Sequence, residues 1–330
     1  MTMKTPGWTL GWLRAGAARL GFCLGVAFAT LLAPVPGAAQ GATTPAAPAV
    51  AKQLTFGTPE EAAWALILAA ERYDVPALTQ ILGPDGVDLV VTEDKVQDRN
   101  QMAAFAAQAR EETRVARDPK KKIAILIVGH EDWPVPIPLV ETYGKWRFDT
   151  KAGRQEVLYR RIGRNELDAI TLCRGYGEAQ RDYAYEKHDG ASLSQYAQRI
   201  ISTPGKQDGL AWQAADGTWQ GPVGETIARF VTEGYTDRSE PFHGYYFKVL
   251  KGQGPAAPLG QMDFVMKGAM IGGFALVAAP ADYAVSGVKT FIVSHDGVVY
   301  QKDLGPQTLD RFRALERYNP DSTWEPAEQP

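Results

Sequence analysis

The sequence predicts an α+β fold, and three observations lead to that prediction. Amphipathic helical patterns come before β-rich runs in the first part of the chain. A long helical pattern follows over residues 165–186. Runs rich in Val, Phe, Ile and Tyr then fill residues 273–305. Helices and antiparallel strands that are segregated along the chain are typical of this class.

The last third of the chain predicts an antiparallel sheet. Residues 274–278, 290–294 and 298–302 are β-rich runs bounded by turn residues. His295, Asp296 and Gly297 join the last two runs, and a final glycine suits a loop position with positive φ. Pro280 is expected to end the first run, because proline cannot donate to a β ladder.

The first part of the chain predicts helices followed by strands. Thr58 caps a helix that Pro59 opens, and Glu61 completes a capping box. Further helices are predicted before Gly83 and over residues 101–114. Strands are predicted at residues 123–128, 139–142 and 146–149, with a stiff proline-rich segment at 133–138.

The long helical pattern carries one apolar face, which includes Ala169, Tyr176 and Tyr183. Cys173 lies next to this face, so a buried and unreactive thiol is expected. Beyond this helix the sequence predicts a strand at 245–250, short strands at 210–212 and 264–266, and helices at 225–234 and 308–317.

The N-terminal residues have the pattern of a secretory signal peptide over residues 1–39. Lys4, Arg14 and Arg19 precede an apolar run at 20–33, and Ala38 and Ala39 provide a small-residue cleavage site. The run is shorter than the ~20 residues of a membrane span, so no stable span is expected after cleavage. Residues 40–53 are read as a disordered linker. The pattern predicts a periplasmic or secreted protein.

Charge and cysteine content narrow the possible functions. A formal net charge of −3 argues against a nucleic-acid partner. Signal cleavage would leave Cys173 as the only cysteine, which excludes an internal disulfide. The four histidines stand apart from second ligands in the sequence, and no phosphate loop or nucleophile elbow is present. The sequence therefore predicts no cofactor, no metal and no catalytic set.

A polar cluster at the start of the long helix is the first candidate site. Its arginines could clamp a carboxylate or phosphate of an envelope ligand. Alternatively, they pin the helix to the preceding domain through ion pairs. Gln180 and Tyr183 are expected to face the same region. The candidate residues for ligand or interdomain contact are Arg161, Arg164, Asn165, Glu166, Gln180 and Tyr183.

A second candidate site is aromatic. If exposed, these rings could stack on sugars or on an apolar patch of a partner. Alternatively, they fill a core that loops alone cannot build. The residues proposed for an aromatic surface are Trp212, Trp219 and Tyr245, in a region that also holds Tyr235, Phe242 and Tyr246.

Two parts of the chain resemble known architectures. The segments TPEEAAWALILAAERYDVPALTQILGP and GKWRFDT resemble cone-shaped domains of the nuclear-transport-factor and cystatin-like type. This resemblance implies a cystatin-like α+β domain over residues 54–150. The segments AQRDYA, GYYFKVL and FALVAAPADYAVSGVKTFIVSHDGVVY resemble type IV pilin-like and pseudopilin-like globular domains. That implies a pilin-like α+β domain over residues 151–330, although here a whole domain precedes the helix.

A third resemblance covers nearly all of the chain after the signal peptide. WPVPIPLV, WRFDT, RRIGRNEL, AQRDYA and GYYFKVL, with the final sheet, resemble a family of secreted bacterial proteins known only as a domain of unknown function. This resemblance implies secretion and no particular activity.

The expected function is a non-enzymatic binding or cell-envelope accessory role, with an unknown envelope protein or glycan as partner. One alternative is a hydrolase or ligand-processing enzyme that acts on envelope material, suggested by the arginine cluster beside a pocket-forming domain. The other alternative is a pilus- or secretion-associated component, suggested by the pilin-like second half.

Overall fold

A computed structural model of the chain describes residues 52–328 apart from Arg238. The predicted signal peptide at 1–39 and all but the end of the linker at 40–53 lie outside the described residues. The end of that linker belongs to the fold. The side-chain amide of Gln53 donates to the carbonyl oxygens of Ile81 and Phe148, at 3.0 and 2.8 Å.

The first part of the described chain contains helices followed by short strands. The elements are α1 (Pro59–Glu71), α2 (Val75–Leu82), α3 (Val87–Val90), α4 (Lys95–Glu111), β1 (Thr113–Asp118), β2 (Ile123–Val128), β3 (Trp133–Pro134), β4 (Leu139–Thr142) and β5 (Lys145–Phe148).

The second part opens with one long helix and ends in a sheet. The elements are α5 (Thr150–Tyr185), β6 (Trp212–Gln213), β7 (Trp219–Gln220), α6 (Gly224–Glu233), β8 (Tyr245–Leu250), β9 (Gly252–Gln253), β10 (Met262–Asp263), β11 (Val265–Met266), β12 (Ala269–Met270), β13 (Ala275–Pro280), β14 (Lys289–Ser294), β15 (Val299–Asp303), α7 (Thr308–Ala314) and β16 (Glu325–Pro326).

The first sheet has the antiparallel order β1-β2-β4-β5, and β3 also pairs with β2. Strand β2 alternates between partly buried and buried residues, so Ala124, Leu126 and Val128 face the interior. These residues share one apolar core with α1 and α2. Thr58 caps α1 by accepting from the amide of Glu61, whereas the Glu61 carboxylate accepts from Gly57 one residue before the cap.

The second sheet has the antiparallel order β16-β15-β14-β13-β8. It confirms the predicted sheet, and Gly297 in the β14–β15 loop has the expected positive φ of 76°. All of β13 is buried, including Pro280, which is the last strand residue and lies opposite Tyr245.

Helix α5 lies across this second sheet, as the sequence predicted. Cys173, Tyr176 and Tyr183 share one core with β13 and β14, and the Tyr176 hydroxyl donates to the carbonyl of Ala275 at 3.4 Å. Cys173 has no exposed surface, and burial raises the pKa of its thiol to about 12. The predicted inert, buried thiol is consistent with this environment.

The predicted start of α5 was wrong by 15 residues, since the helix begins at Thr150 rather than Asn165. Asp149 caps it by accepting from the amide of Ala152. Gly153, which weakens helix propensity in isolation, is required by packing. A Cβ at this position would lie 2.5 Å from Ile137 Cα and from the Pro136 carbonyl oxygen.

The predicted bounds of the third helix were also wrong. Helix α4 runs over Lys95–Glu111 instead of residues 101–114, because Asp94 caps it earlier by accepting from Gln97. Arg114 belongs to the edge strand β1, whose polar composition is not typical of a strand.

The fold class is α+β, as predicted. The described residues fall within one compact unit, Ala51–Pro330, and the division at residues 54–150 and 151–330 remains a prediction. Over residues 52–328, no helix has both the length and the apolar character needed to cross a bilayer.

Candidate functional site

Buried polar side chains converge where α4 begins beside the middle of α5. We call this set the polar junction. Each member is at most 8% exposed, which is unusual for such side chains and requires hydrogen-bond partners. The members are Asp94, Gln97, Asp98, Arg161 and Asn165.

Arg161 reaches from α5 to the end of α3. Its guanidinium donates to the carbonyl oxygens of Asp88 and Leu89, at 2.8 and 2.6 Å. These carbonyls belong to the last turn of a four-residue helix and have no helical partner of their own. A second arginine, Arg154, forms a two-pronged ion pair with the Asp88 side chain. Two arginines of α5 therefore hold α3.

Asn165 and Glu166 link α5 to other segments. The Asn165 side chain accepts from the Gln97 amide at 3.0 Å and donates to the Ser286 carbonyl at 2.9 Å. One Glu166 oxygen accepts from the backbone amides of Val288 and Lys289, both at 2.9 Å. Arg164, in contrast, is exposed to solvent.

Two acidic residues of the junction occupy different environments. Burial raises the pKa of Asp94, against hydrogen bonds from the amides of Gln97 and Gly244 and from the Tyr235 hydroxyl. Burial also raises the pKa of Asp98, to about 6, although the amide and hydroxyl of Thr92 both donate to this carboxylate.

His243 lies next to the polar junction, between two carboxylates. Its Nδ1 is 2.8 Å from Asp168 of α5, and its Nε2 is 3.5 Å from Glu233 at the end of α6. The ring stacks on Phe242 with centroids 4.0 Å apart. Burial lowers the pKa of His243, but the hydrogen bonds and charges of Asp168 and Glu233 outweigh this effect and raise it overall.

Gln180 and Tyr183 do not join the other candidates. At a rise of 1.5 Å per residue, Gln180 lies about 22 Å and Tyr183 about 27 Å beyond Asn165 along α5. Gln180 has no exposed surface, and it exchanges hydrogen bonds with both backbone groups of Ala197. The Tyr183 hydroxyl donates to the carbonyl of Gln207. The expectation that these side chains face the arginine cluster was therefore wrong.

The proposed aromatic surface does not form a single exposed face. Tyr245 is 1% exposed and lies in the second core, and its hydroxyl donates to the Lys289 carbonyl. Trp212 is partly buried against the same core. Trp219 is half-buried on the neighbouring strand. In the β6–β7 ribbon Trp212 pairs with Gln220 and Trp219 with Gln213, so the two indoles point to opposite sides.

An open depression lies beside α3, with a volume of about 580 Å³. The exposed side chains of Val87 and Val91 supply apolar surface, and the Arg154–Asp88 ion pair supplies polar surface. Pro84 and Asp85 complete the lining. Because the ion pair is only about one-third exposed, a ligand here would contact an ordered, oriented charge pair.

A family model described as "Protein of unknown function (DUF2950)" matches residues 53–327. The chain belongs to this family. The match confirms the resemblance to a domain of unknown function. Comparison with curated proteins gives no match, and comparison with solved structures gives none either. The cone-domain and pilin-like resemblances therefore remain predictions.

The geometry of this DUF2950 chain limits the chemistry of the polar junction. Asp94, Arg161 and Asn165 already bond to groups of the same chain. In the part that the structure describes, no group of three or more His, Cys, Asp or Glu side chains is placed to hold a metal ion. His243 has the orienting carboxylate of a general base, but its second nitrogen faces Glu233 instead of an open space.

The acidic residues and His243 were not predicted as a group from the sequence of this DUF2950 chain. One local signal was present, because Asp94 followed three residues later by Gln97 is a capping pattern. The partnership of His243 with Asp168 spans 75 residues. No local spacing could have indicated it.

Proposed function

We propose that the protein is an exported, non-enzymatic binding or cell-envelope accessory protein, with an envelope protein or glycan as its partner. The signal-peptide pattern at residues 1–39 supports export. The open depression beside α3 supports binding, because it combines exposed apolar side chains with an oriented ion pair.

The proposal is based on a difference in accessibility: the depression has exposed side chains, whereas the side chains of the polar junction are buried and bonded within the chain. Arg161 and Asn165 are occupied by internal hydrogen bonds. Val87 and Val91 are 43% and 37% exposed at the rim of the depression. A concave site lined by apolar side chains with a few fixed polar groups is typical of ligand binding. We therefore place the proposed partner contact at Val87, Val91 and Arg154.

Site-specific photo-crosslinking in cells that express the full chain tests this contact. A photoreactive residue at position 91 should give a discrete crosslink to one envelope component. The same residue at position 143 is the control, since Tyr143 is fully exposed at the β4–β5 turn. Equal products from both positions, or none from position 91, would contradict the proposed contact.

Export is tested separately from binding. Fractionation of cells that express the full chain should recover the protein outside the cytoplasm, and N-terminal sequencing should begin at Gln40. Recovery of uncleaved protein from the cytoplasm alone would argue against export, whatever the crosslinking result.

One observation favours the hydrolase alternative, namely the 2.8 Å contact between Asp168 and His243. A carboxylate that orients a histidine is a recurrent part of acid–base sites. If this alternative is correct, purified protein should cleave peptidoglycan or envelope glycans, and His243→Gln should abolish the cleavage without unfolding the chain. Cleavage that is unchanged in this variant would exclude the role for His243.

A further inference from the structure

Helix α6 packs on β7 at its N-terminal end, where Gly224 is buried against Trp219, and polar groups contact its C-terminal end. Among its apolar side chains, Ile227 is buried and Val231 is 39% exposed. Phe230 stacks on Phe242 with centroids 3.7 Å apart. The Asn100 side chain donates to the carbonyl of Glu233 at 3.0 Å. Polar contacts near Glu233 therefore hold the C-terminal end of α6.

The backbone next to this attachment adopts left-handed conformations. Gly234, which ends α6, has a φ of 108°, and Gly244 has a φ of 74°. His243 also has a positive φ of 47°, which is uncommon for a residue that is not glycine. Such a backbone persists only where surrounding contacts hold it. For His243 these contacts are the two carboxylates and the aromatic stack.

We propose that His243, Asp168 and Glu233 form a proton-dependent latch between α6 and α5. The latch is closed while the imidazole is protonated and opens when the imidazole loses its proton. This proposal concerns a conformational device and does not depend on the proposed binding function.

The donor capacity of imidazole is the reason for this behaviour. A protonated ring donates from both nitrogens and can satisfy Asp168 and Glu233 together. A neutral ring has one donor and one lone pair. If Nδ1 keeps its proton for Asp168, the lone pair of Nε2 faces the Glu233 carboxylate at 3.5 Å. Loss of one proton thus replaces an attraction with a repulsion.

The other charged groups around His243 act on the same equilibrium. The carboxylate of Asp94, at the start of α4, adds a further favourable charge for the imidazolium. The Tyr235 ring lies 5.9 Å from the imidazole, and the Tyr235 hydroxyl donates to Asp94. Arg229 opposes the effect in part, because its guanidinium lies 3.9 Å from the Glu233 carboxylate.

The sign of the pH effect follows from the direction of the pKa shift. The pKa of His243 is raised in the folded protein. The stabilisation from the latch is therefore fully present below the unfolded pKa of about 6.5, and it is lost as the pH rises through the higher folded value. Mildly acidic solution closes the latch, and alkaline solution opens it.

Hydrogen exchange of the full chain tests the latch. Amides of α6 (Gly224–Glu233) are compared with those of α1 (Pro59–Glu71) at pH 6 and pH 9, after correction for intrinsic exchange. We expect exchange in α6 to become about tenfold faster relative to α1 between pH 6 and pH 9. A tenfold change corresponds to the lower end of the free energy that a charge-assisted hydrogen bond contributes.

Variants separate the latch from general pH effects. In His243→Gln the exchange of α6 should already be fast at pH 6 and should no longer depend on pH. His130→Gln is the matched control, since His130 is 73% exposed and pairs with Glu112 in the first sheet region. This control should behave like the wild type.

Glu233→Gln provides a second route if His243→Gln does not fold. It removes one of the two carboxylates that favour the imidazolium, so the pH dependence of α6 exchange should shrink. The proposal is overturned if wild-type α6 exchange relative to α1 is the same at both pH values, or if the folded latch variants follow the wild type.

Discussion

Asn165 shows how much one buried amide can hold together. It has no exposed surface, and it joins Gln97 of α4 to the carbonyl of Ser286 through a single side chain on α5. Its neighbour Arg164, one residue earlier, is exposed. Adjacent residues of one motif thus have opposite environments, which the motif RRIGRNEL does not reveal.

Replacement of Asn165 by Ala should lower the free energy of unfolding by about 1–3 kcal/mol, because it leaves a buried donor and a buried acceptor without partners. Urea denaturation measures the change. Arg164→Ala is the control and should stay within about 0.5 kcal/mol of the wild type. A loss in Arg164→Ala as large as that in Asn165→Ala would contradict the assignment.

Helix α5 contains glycines with opposite roles. A Cβ on Gly153 would meet the backbone of the β3–β4 segment at 2.5 Å, whereas a Cβ on Gly163 would meet nothing within 4 Å. Arg161 and Asn165 of the polar junction lie on either side of Gly163 in the sequence. The first turn of α5 therefore depends on close backbone contact, whereas the position of Gly163 faces open space.

Gly153→Ala should destabilise the protein by about 1–3 kcal/mol, because the added methyl group overpacks a site closed by backbone atoms. Gly163→Ala should raise the stability by up to about 1 kcal/mol, since alanine is the better helix former and the space is open. Thermal unfolding of both variants measures the difference. Higher stability in Gly153→Ala would show that the β3–β4 segment moves to accommodate the added methyl group.

Elements with local sequence signals were predicted correctly, and those that depend on tertiary contacts were not. Strands β2, β4 and β8 have the predicted bounds, because their apolar composition and flanking turns are local signals. The first turns of α5 were missed because the contact of Gly153 with Pro136 and Ile137, which favours glycine there, is tertiary. The acidic groups around His243 were also missed, because their contacts join residues far apart in the sequence.

At the scale of the whole molecule, α5 connects two apolar cores. Its first half contacts α3 and α4 through Arg154, Arg161 and Asn165, and its second half packs on β13 and β14. Charged groups are concentrated where the two halves meet. The stability of the whole chain should therefore respond to the protonation of that region.

Asp98 provides the test of this response. Burial raises its pKa from 3.8 to about 6, so the folded protein binds this proton more tightly than the unfolded chain does. A raised carboxyl pKa means that stability decreases as the pH rises from about 4 to about 6. The two-unit shift corresponds to about 1–3 kcal/mol. Asp98→Asn cannot titrate and should lack this loss.

The measurement is the free energy of unfolding of wild type and Asp98→Asn at pH 4 and pH 7. Between these values the wild type should lose about 1–3 kcal/mol relative to the variant. Asp132→Asn is the matched control, because the Asp132 side chain is 65% exposed and pairs with Arg114 at the surface. Parallel pH profiles for wild type and Asp98→Asn would mean that the Asp98 carboxylate is effectively solvated, and that the polar junction admits water despite its burial.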